Sequence, residues 1–478
     1  MLMNHMQIIN LINGGGKMKS TIVKSFMMLV FIAILAMGCK SSEPISKTGK
    51  PVTEQKKASP LAAMLDTSQV FSANLTGFAL YDPATDSMIH SQNANRYFTP
   101  ASNTKLFTFY TGLRLLPDSL KALEYEVRGD SLIFWGTGDP SFLHPDFGNN
   151  KVYEFLKSRD EDLYFSDSNF DDELLGPGWS WSDYQYYYQP EKVPFPIFGN
   201  IARFTVQEIE LRKIAQTDSG LAVSPRYFQS FVEENGHRDD FLHRGMTDNI
   251  FFYKPEADTS TYTIDKPFHY SPKLVTEMLS DTLGKAVEYV NVERPESPKR
   301  IYSIKADTAY KRMLQPSDNF IAEQLLLVTA SELGKPLNSR SVIEKMKEEH
   351  LDFLAKEPQW VDGSGLSRYN MFTPGSMIRL LEAIDDEFEK DEKLFHLLPA
   401  GGKRGTISSW YAPRDDSEEP YVFAKTGTLS NNHSLSGYLL TKSGKKLYFS
   451  FMNNHHVGSS SVVKEEMEKV LWYIYSNF

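Results

Sequence analysis

Pro100-Ala101-Ser102-Asn103-Thr104-Lys105-Leu106-Phe107-Thr108 is the stretch on which the reading of this chain turns. It reads as the start of a buried helix: Pro100 precedes it, Ser102 or Asn103 can cap it, and Leu106, Phe109, Leu113 and Leu116 recur at helical spacing. Ser102 and Lys105 stand three apart, so their side chains project from one face of the first turn. A serine hydroxyl is a weak nucleophile until a base lies within hydrogen-bond reach. A lysine can be that base when burial or a second cation lowers its pKa. By itself Ser-x-x-Lys is common by chance and equally describes an exposed capping turn, so its meaning depends on what the rest of the chain brings to it.

Immediately upstream, Phe78-Ala79-Leu80-Tyr81 and Met88-Ile89-His90 flank Asp82-Pro83-Ala84-Thr85-Asp86, which predicts a hairpin leading into the Ser102 helix. Folded structure is expected from about Leu61, after a polar tether over 40–60. Further back, Lys17, Lys19 and Lys24 precede an apolar run from Phe26 to Met37, the length of a secretory signal and too short to span a bilayer. The run ends at Gly38-Cys39, which resembles the lipobox of bacterial lipoproteins, although Ala36 stands where that motif usually has leucine. Residues 1–39 are therefore expected to be a signal peptide with Cys39 lipidated; a cleaved signal without lipid is the alternative. Met1 to Lys17 precedes an ordinary signal that would begin at Met18.

Composition narrows the classes. A chain of 478 residues, 41% hydrophobic and 23% charged, has room for two or three soluble domains. A net charge of −10 argues against nucleic acid as a partner. The single cysteine excludes an intramolecular disulfide and any cysteine-based metal cluster.

Downstream, 124–300 shows short strand-like runs, many turns and the aromatic cluster Trp179-Ser180-Trp181-Ser182-Asp183-Tyr184-Gln185-Tyr186-Tyr187-Tyr188, which is expected to pack a small β-rich core rather than to form a ligand platform. Asp167, Asn169 and Asp171 have the spacing that opens a calcium loop, but Asp172 and Gly178 occupy the positions that need Gly and Glu, so a loop or strand is expected. Gly136-Thr137-Gly138-Asp139-Pro140 lacks the third glycine of a dinucleotide site and reads as a turn. Helical character returns from Tyr302 to Arg312, then from Phe320 to Leu333 after Gln315-Pro316-Ser317-Asp318-Asn319, where Ser317 or Asp318 suits an N-cap. Asp362-Gly363-Ser364-Gly365-Leu366-Ser367 is a turn-rich loop without a nucleophile elbow. A helix is expected from Thr373-Pro374 to about Ile384, a flexible loop over Pro399 to Thr406, a strand over Tyr421 to Leu429, and a hairpin about Ser443-Gly444. His455-His456 reads as surface. A terminal helix turns Val462, Met467, Val470, Leu471 and Ile474 inward.

Three motifs now stand in one order: Ser102-Asn103-Thr104-Lys105, Ser317-Asp318-Asn319 and Lys425-Thr426-Gly427. Each is weak alone. On a helix start, a loop before a helix and an edge strand, the ordered triple is the set found in penicillin-binding proteins and class A β-lactamases. Residues 76–116, 124–143, 165–200 and 301–455 resemble the D-alanyl-D-alanine carboxypeptidase/endopeptidase family of the penicillin-binding protein 4 type (peptidase family S13). Gly138-Asp139-Pro140, Gly176-Pro177-Gly178-Trp179, Ala322-Glu323, Asp362 to Ser367, Leu398-Pro399 with Gly405-Thr406, and Thr428-Leu429 complete that resemblance. It implies an α+β fold: a serine β-lactamase/transpeptidase-like domain, an antiparallel sheet flanked by helices, over 61–123 and 301–478. The 215 positions between Ser102 and Ser317 (317 − 102) are then explained by a β-rich inserted region over 124–300, of one or two small domains.

The resemblance also implies chemistry. Ser102 attacks a D-Ala–D-Ala amide of a peptidoglycan stem peptide, or a β-lactam, and Lys105 takes its proton, its pKa lowered by burial and by Lys425. Ser317 relays a proton to the leaving nitrogen, and Asn319 binds the substrate backbone. The N–H groups of Ser102 and Thr428 form an oxyanion hole, and Lys425, Thr426 and Thr428 bind the terminal carboxylate. No metal or organic cofactor is implied. Asn431-Asn432-His433 departs from the small or aliphatic residues usual there. A β-lactamase is the nearest alternative, but 320–370 lacks the Glu-x-x-Leu-Asn loop that class A enzymes use for deacylation. A non-catalytic penicillin-sensing or wall-binding module is the other, and the full set of motif side chains argues against it. The location implied is the periplasm, on a membrane through the lipid.

Overall fold

Gly77-Phe78-Ala79-Leu80-Tyr81 is apolar at every position, which suits a strand with both faces covered. The computed structural model describes residues 59–206, 221–234, 241–254, 261–415 and 417–478, and the expected signal, Cys39 and nearly all of the tether fall outside them. The strand Leu75–Asp82 pairs antiparallel with Ser87–Gln92, as the hairpin reading required. Its other neighbour is Lys446–Asn454, from the far end of the chain, with Leu75 opposite Asn454 and Tyr81 opposite Tyr448. Asn432–Leu440 and then Val422–Leu429 complete a five-stranded antiparallel sheet.

Alternation along these strands divides the core in two. Phe78 and Leu80 pack with Phe449, Phe451, Met467 and Leu471 beneath the terminal helices, while Ala79 and Tyr81 join Phe107, Phe109, Leu325 and Leu381 on the opposite face. The terminal helix runs over Ser460–Asn477, but its inward residue is Val463, with Val462 51% exposed. Ser459 caps the first turn and fixes the phase, and two adjacent valines give periodicity no means to choose between them.

The helix Asn319–Glu332 is buried on every side from Phe320 to Ser331, because it is shared: Ile321 and Leu325 serve the catalytic layer, while Phe320 packs into the core of the inserted region. The chain enters that region along Ser119–Arg128 and leaves it along Lys299–Lys305, two strands that pair antiparallel. Tyr302 thus lies in a strand rather than opening a helix, which begins at Ala306. Its sheet continues through Ser131–Gly136, Asp162–Ser166 and Val287–Tyr289, and two three-stranded sheets and the helices Lys151–Lys157 and Pro272–Leu283 belong to the same region. The aromatic core expected here exists, but it is built from Phe134, Phe165, Phe195, Phe204, Phe228, Phe251 and Phe268. The Trp179–Tyr188 cluster is not part of it: Trp181 is 71% and Tyr187 67% exposed.

Candidate active site

Ser102 sits in a 3-10 turn, Ala101–Thr104, that runs into the helix Lys105–Leu115. The turn has no side-chain cap, so neither Ser102 nor Asn103 does what its residue type suggested. Asn103 Nδ2 instead donates to the Lys425 carbonyl at 2.9 Å, pinning the turn to the edge strand Val422–Leu429. Gly427 makes this approach possible, since a Cβ there would collide with the Pro100 carbonyl and with Asn103. Ser102 remains half-buried at the floor of a cleft of about 800 Å³.

Lys105 is fully buried. Its Nζ lies 3.0 Å from Ser102 Oγ, 2.6 Å from Asn319 Oδ1 and 2.7 Å from the Ser364 carbonyl. Those three acceptors match the three N–H groups of an ammonium; loss of one proton leaves a lone pair that can turn to the serine hydroxyl. Burial pushes the Lys105 pKa down to about 8 from 10.5, against the opposing pull of Asp362, Glu323 and Asp318. The second cation was expected to assist, but its influence runs the other way. Lys425 is held well below the ordinary lysine range by burial and then by the charge of Lys105. Lys425 Nζ donates to Ser317 Oγ and to the Thr426 carbonyl, both at 2.8 Å. Ser317, at φ 67°, is turned toward the cleft, while Asp318 caps the next helix by accepting from the Ile321 N–H at 3.1 Å. Thr426 Oγ1 reaches Thr406 Oγ1 at 2.8 Å, and Thr428 opens on the cleft.

The structure therefore brings Ser102, Lys105, Ser317, Asn319, Lys425, Thr426 and Thr428 to one place. Cys39 lies outside the described residues. Three further groups support the site. Glu323 accepts from the Gly363 and Ser364 N–H groups at 3.0 and 2.7 Å, so the loop that offers its carbonyl to Lys105 is held by a buried carboxylate. Burial and the neighbouring Asp362 push Glu323 up to about 7. Asp362 accepts from the Gly365 and Ser367 N–H groups and from Asn370, and its fourth donor is Trp179 Nε1 at 3.0 Å.

That last bond comes from the inserted region, and it is one of several. Asn319 Nδ2 donates to the Tyr188 carbonyl at 2.8 Å, and Ser367 Oγ to the Pro177 carbonyl at 2.6 Å. Gly178, Ser180, Asp183, Tyr187, Tyr188 and Gln189 form a wall of the Ser102 cleft. The aromatic stretch is thus a rim, not a core. His455-His456, read as surface, divides: His455 is exposed and His456 is 4% exposed, its N–H and carbonyl both bonded to Asn431.

The model of the "D-Ala-D-Ala carboxypeptidase 3 (S13) family" matches residues 58–224 and 291–473. The D-alanyl-D-alanine carboxypeptidase DacB of Haemophilus influenzae is 22% identical over 82% of this chain and 88% of its own. A D-alanyl-D-alanine carboxypeptidase of Actinomadura sp. is 24% identical over 92% of this chain and 88% of its own. The crystal structure of penicillin binding protein 4 from Haemophilus influenzae superposes with a TM-score of 0.64 at 19% identity, covering 88% of this chain and 98% of that one, so the two share the α+β fold.

Proposed function

The chain belongs to the D-Ala-D-Ala carboxypeptidase 3 (S13) family, and from that premise we propose that its serine-peptidase chemistry on peptidoglycan peptides runs through Ser102. The protein is a penicillin-binding serine carboxypeptidase/endopeptidase. The observation that carries the assignment of residues is the pair of buried lysines, each on a serine hydroxyl: Lys105 on Ser102 at 3.0 Å and Lys425 on Ser317 at 2.8 Å.

In the proposed sequence, neutral Lys105 takes the Ser102 proton as Oγ attacks the carbonyl carbon of the D-Ala–D-Ala bond. The backbone N–H groups of Ser102 and Thr428 receive the developing oxyanion. The proton that Lys105 took then passes through Ser317 to the leaving nitrogen, which leaves Lys105 neutral again, the C–N bond breaks, and the terminal D-alanine departs. Water, activated by Lys105, attacks the Ser102 ester, and the proton returns to Oγ. Asn319 is shared between Lys105 and the Tyr188 carbonyl, which fixes its side chain for substrate. Lys425, Thr426 and Thr428 line the place for the terminal carboxylate. A β-lactam follows the first half of the path and remains on Ser102. Ser102→Ala, checked for folding by circular dichroism, is expected to lose covalent labelling by a fluorescent penicillin and release of D-alanine from muropeptides. Labelling at the native level would put the nucleophile elsewhere.

The protein works at the bacterial cell wall, in keeping with its family. We further propose that it resides in the periplasm, anchored to a membrane by lipid on Cys39. The support is the sequence alone: the cysteine closes the apolar run 26–37. Cys39→Ser should move the protein from the detergent phase to the aqueous phase; native protein found freely soluble would leave only a cleaved signal.

A further inference from the structure

His433 has no part in the steps above, yet it faces Thr428 directly across the strand pair. Thr428 Oγ1 and His433 Nδ1 are 2.9 Å apart, with the threonine open to the cleft and the histidine wholly buried behind it. We propose that His433 is a positioning residue that donates from Nδ1–H to Thr428 Oγ1, commits the Thr428 hydroxyl proton to the cleft, and thereby selects substrates whose leaving D-amino acid ends in a free carboxylate rather than a carboxamide. The inference rests on the carboxylate-binding role proposed for Thr428.

A neutral imidazole carries one N–H and one bare nitrogen. Burial, with Lys464 and His456 adding to it, pulls the His433 pKa down to about 3, so the ring is neutral at any pH at which a cell wall is built. Nε2 has no hydrogen-bond partner among the described residues. If Nε2 held the proton, a buried N–H would be orphaned, and orphaned donors are rarer in folded proteins than under-used acceptors. The proton therefore belongs on Nδ1, where Thr428 Oγ1 accepts it.

A threonine hydroxyl has one proton to give. With one lone pair filled from behind, that proton points to the cleft. A carboxylate offers an acceptor on both oxygens, whereas a carboxamide must turn an N–H₂ toward one of the surrounding donors. In the opposite tautomer Thr428 would give its proton to Nδ1 and show the cleft only acceptor oxygen, which would welcome the amide.

The test compares kcat and KM for a stem peptide ending in D-Ala–D-Ala with those for its C-terminal carboxamide, on the native enzyme, Thr428→Val, His433→Leu and His433→Asn. Thr428→Val and His433→Leu are each expected to lose about tenfold or more of the preference for the carboxylate, mainly through KM, the size of one hydrogen bond to a charged group. His433→Asn, whose amide can donate from nearly the same place, should recover most of it. Loss of preference in Thr428→Val but not in His433→Leu, or an equal fall in kcat on both peptides, would overturn the role of His433 and leave Thr428 its own. An undiminished preference in Thr428→Val would remove the carboxylate reading itself. Should the His433 variants not fold, nitrogen NMR of the native protein labelled with ¹⁵N-histidine decides: a proton on Nδ1 is expected, and one on Nε2 overturns the proposal.

Discussion

Lys105 has lost its access to water entirely, and that is what equips it as a base. The shift from 10.5 to about 8 favours the neutral amine by roughly 3 kcal/mol relative to an exposed lysine. The carboxylates of Asp362, Glu323 and Asp318 keep it from falling further, so the amine stays basic enough to take a proton. The sign of the pH dependence follows. Below its pKa Lys105 is an ammonium with no lone pair, so penicillin acylation should climb with pH through about 8 and level off above it. A rate that stays flat from about pH 6 to about pH 9 would take the base role from Lys105. Lys105→Ala should slow acylation by a factor of about 10² to 10⁴ on the plateau above that pKa and remove the rise.

Among the elements, those built around local chemistry were legible in the sequence. The hairpin before Ser102, the Asp318 cap and the Thr373-Pro374 helix start each follow from a few neighbouring residues. The cleft wall was not. Pro177 and Tyr188 meet the catalytic loop through their carbonyl oxygens, which any residue type supplies, so no side-chain pattern could announce them. Trp179 is the exception, since its indole N–H is specific and the motif around it was visible. The mistaken helix start at Tyr302 has a similar origin. Its strand partner, Ser119–Arg128, lies far back in the chain, beyond the reach of any local pattern. Trp179→Phe keeps the ring but leaves the buried Asp362 carboxylate one donor short, which should cost about 1–3 kcal/mol. The measurable result is a lower melting temperature together with slower acylation, because Asp362 also holds the loop that offers Ser364 to Lys105. A lower melting temperature with native acylation would show that the wall braces the fold without reaching the chemistry.

At the scale of the whole molecule, the region between the first two motifs is built into the catalytic cleft. Segment 176–189 forms a side of the cleft, and the shared helix Asn319–Glu332 packs against both cores. Replacing 124–300 by a short linker would therefore strip away the wall and the partner of Asn319.

The sheet also sets an order of assembly. Leu75–Asp82 emerges early from the ribosome, yet its neighbour Lys446–Asn454 is among the last segments made, so the first hairpin must wait, unpaired on one edge, for almost the whole chain. A nascent protein halted before Lys446 already contains Ser102, Lys105, Ser317 and Lys425. It still lacks the strand that joins the hairpin to the other two strands. Such a truncated chain should not react with penicillin, and a truncation that did would show that the catalytic centre can form before the sheet closes. The delay is a safeguard: a peptidase completed by its own last strands cannot begin work until its whole chain has been made.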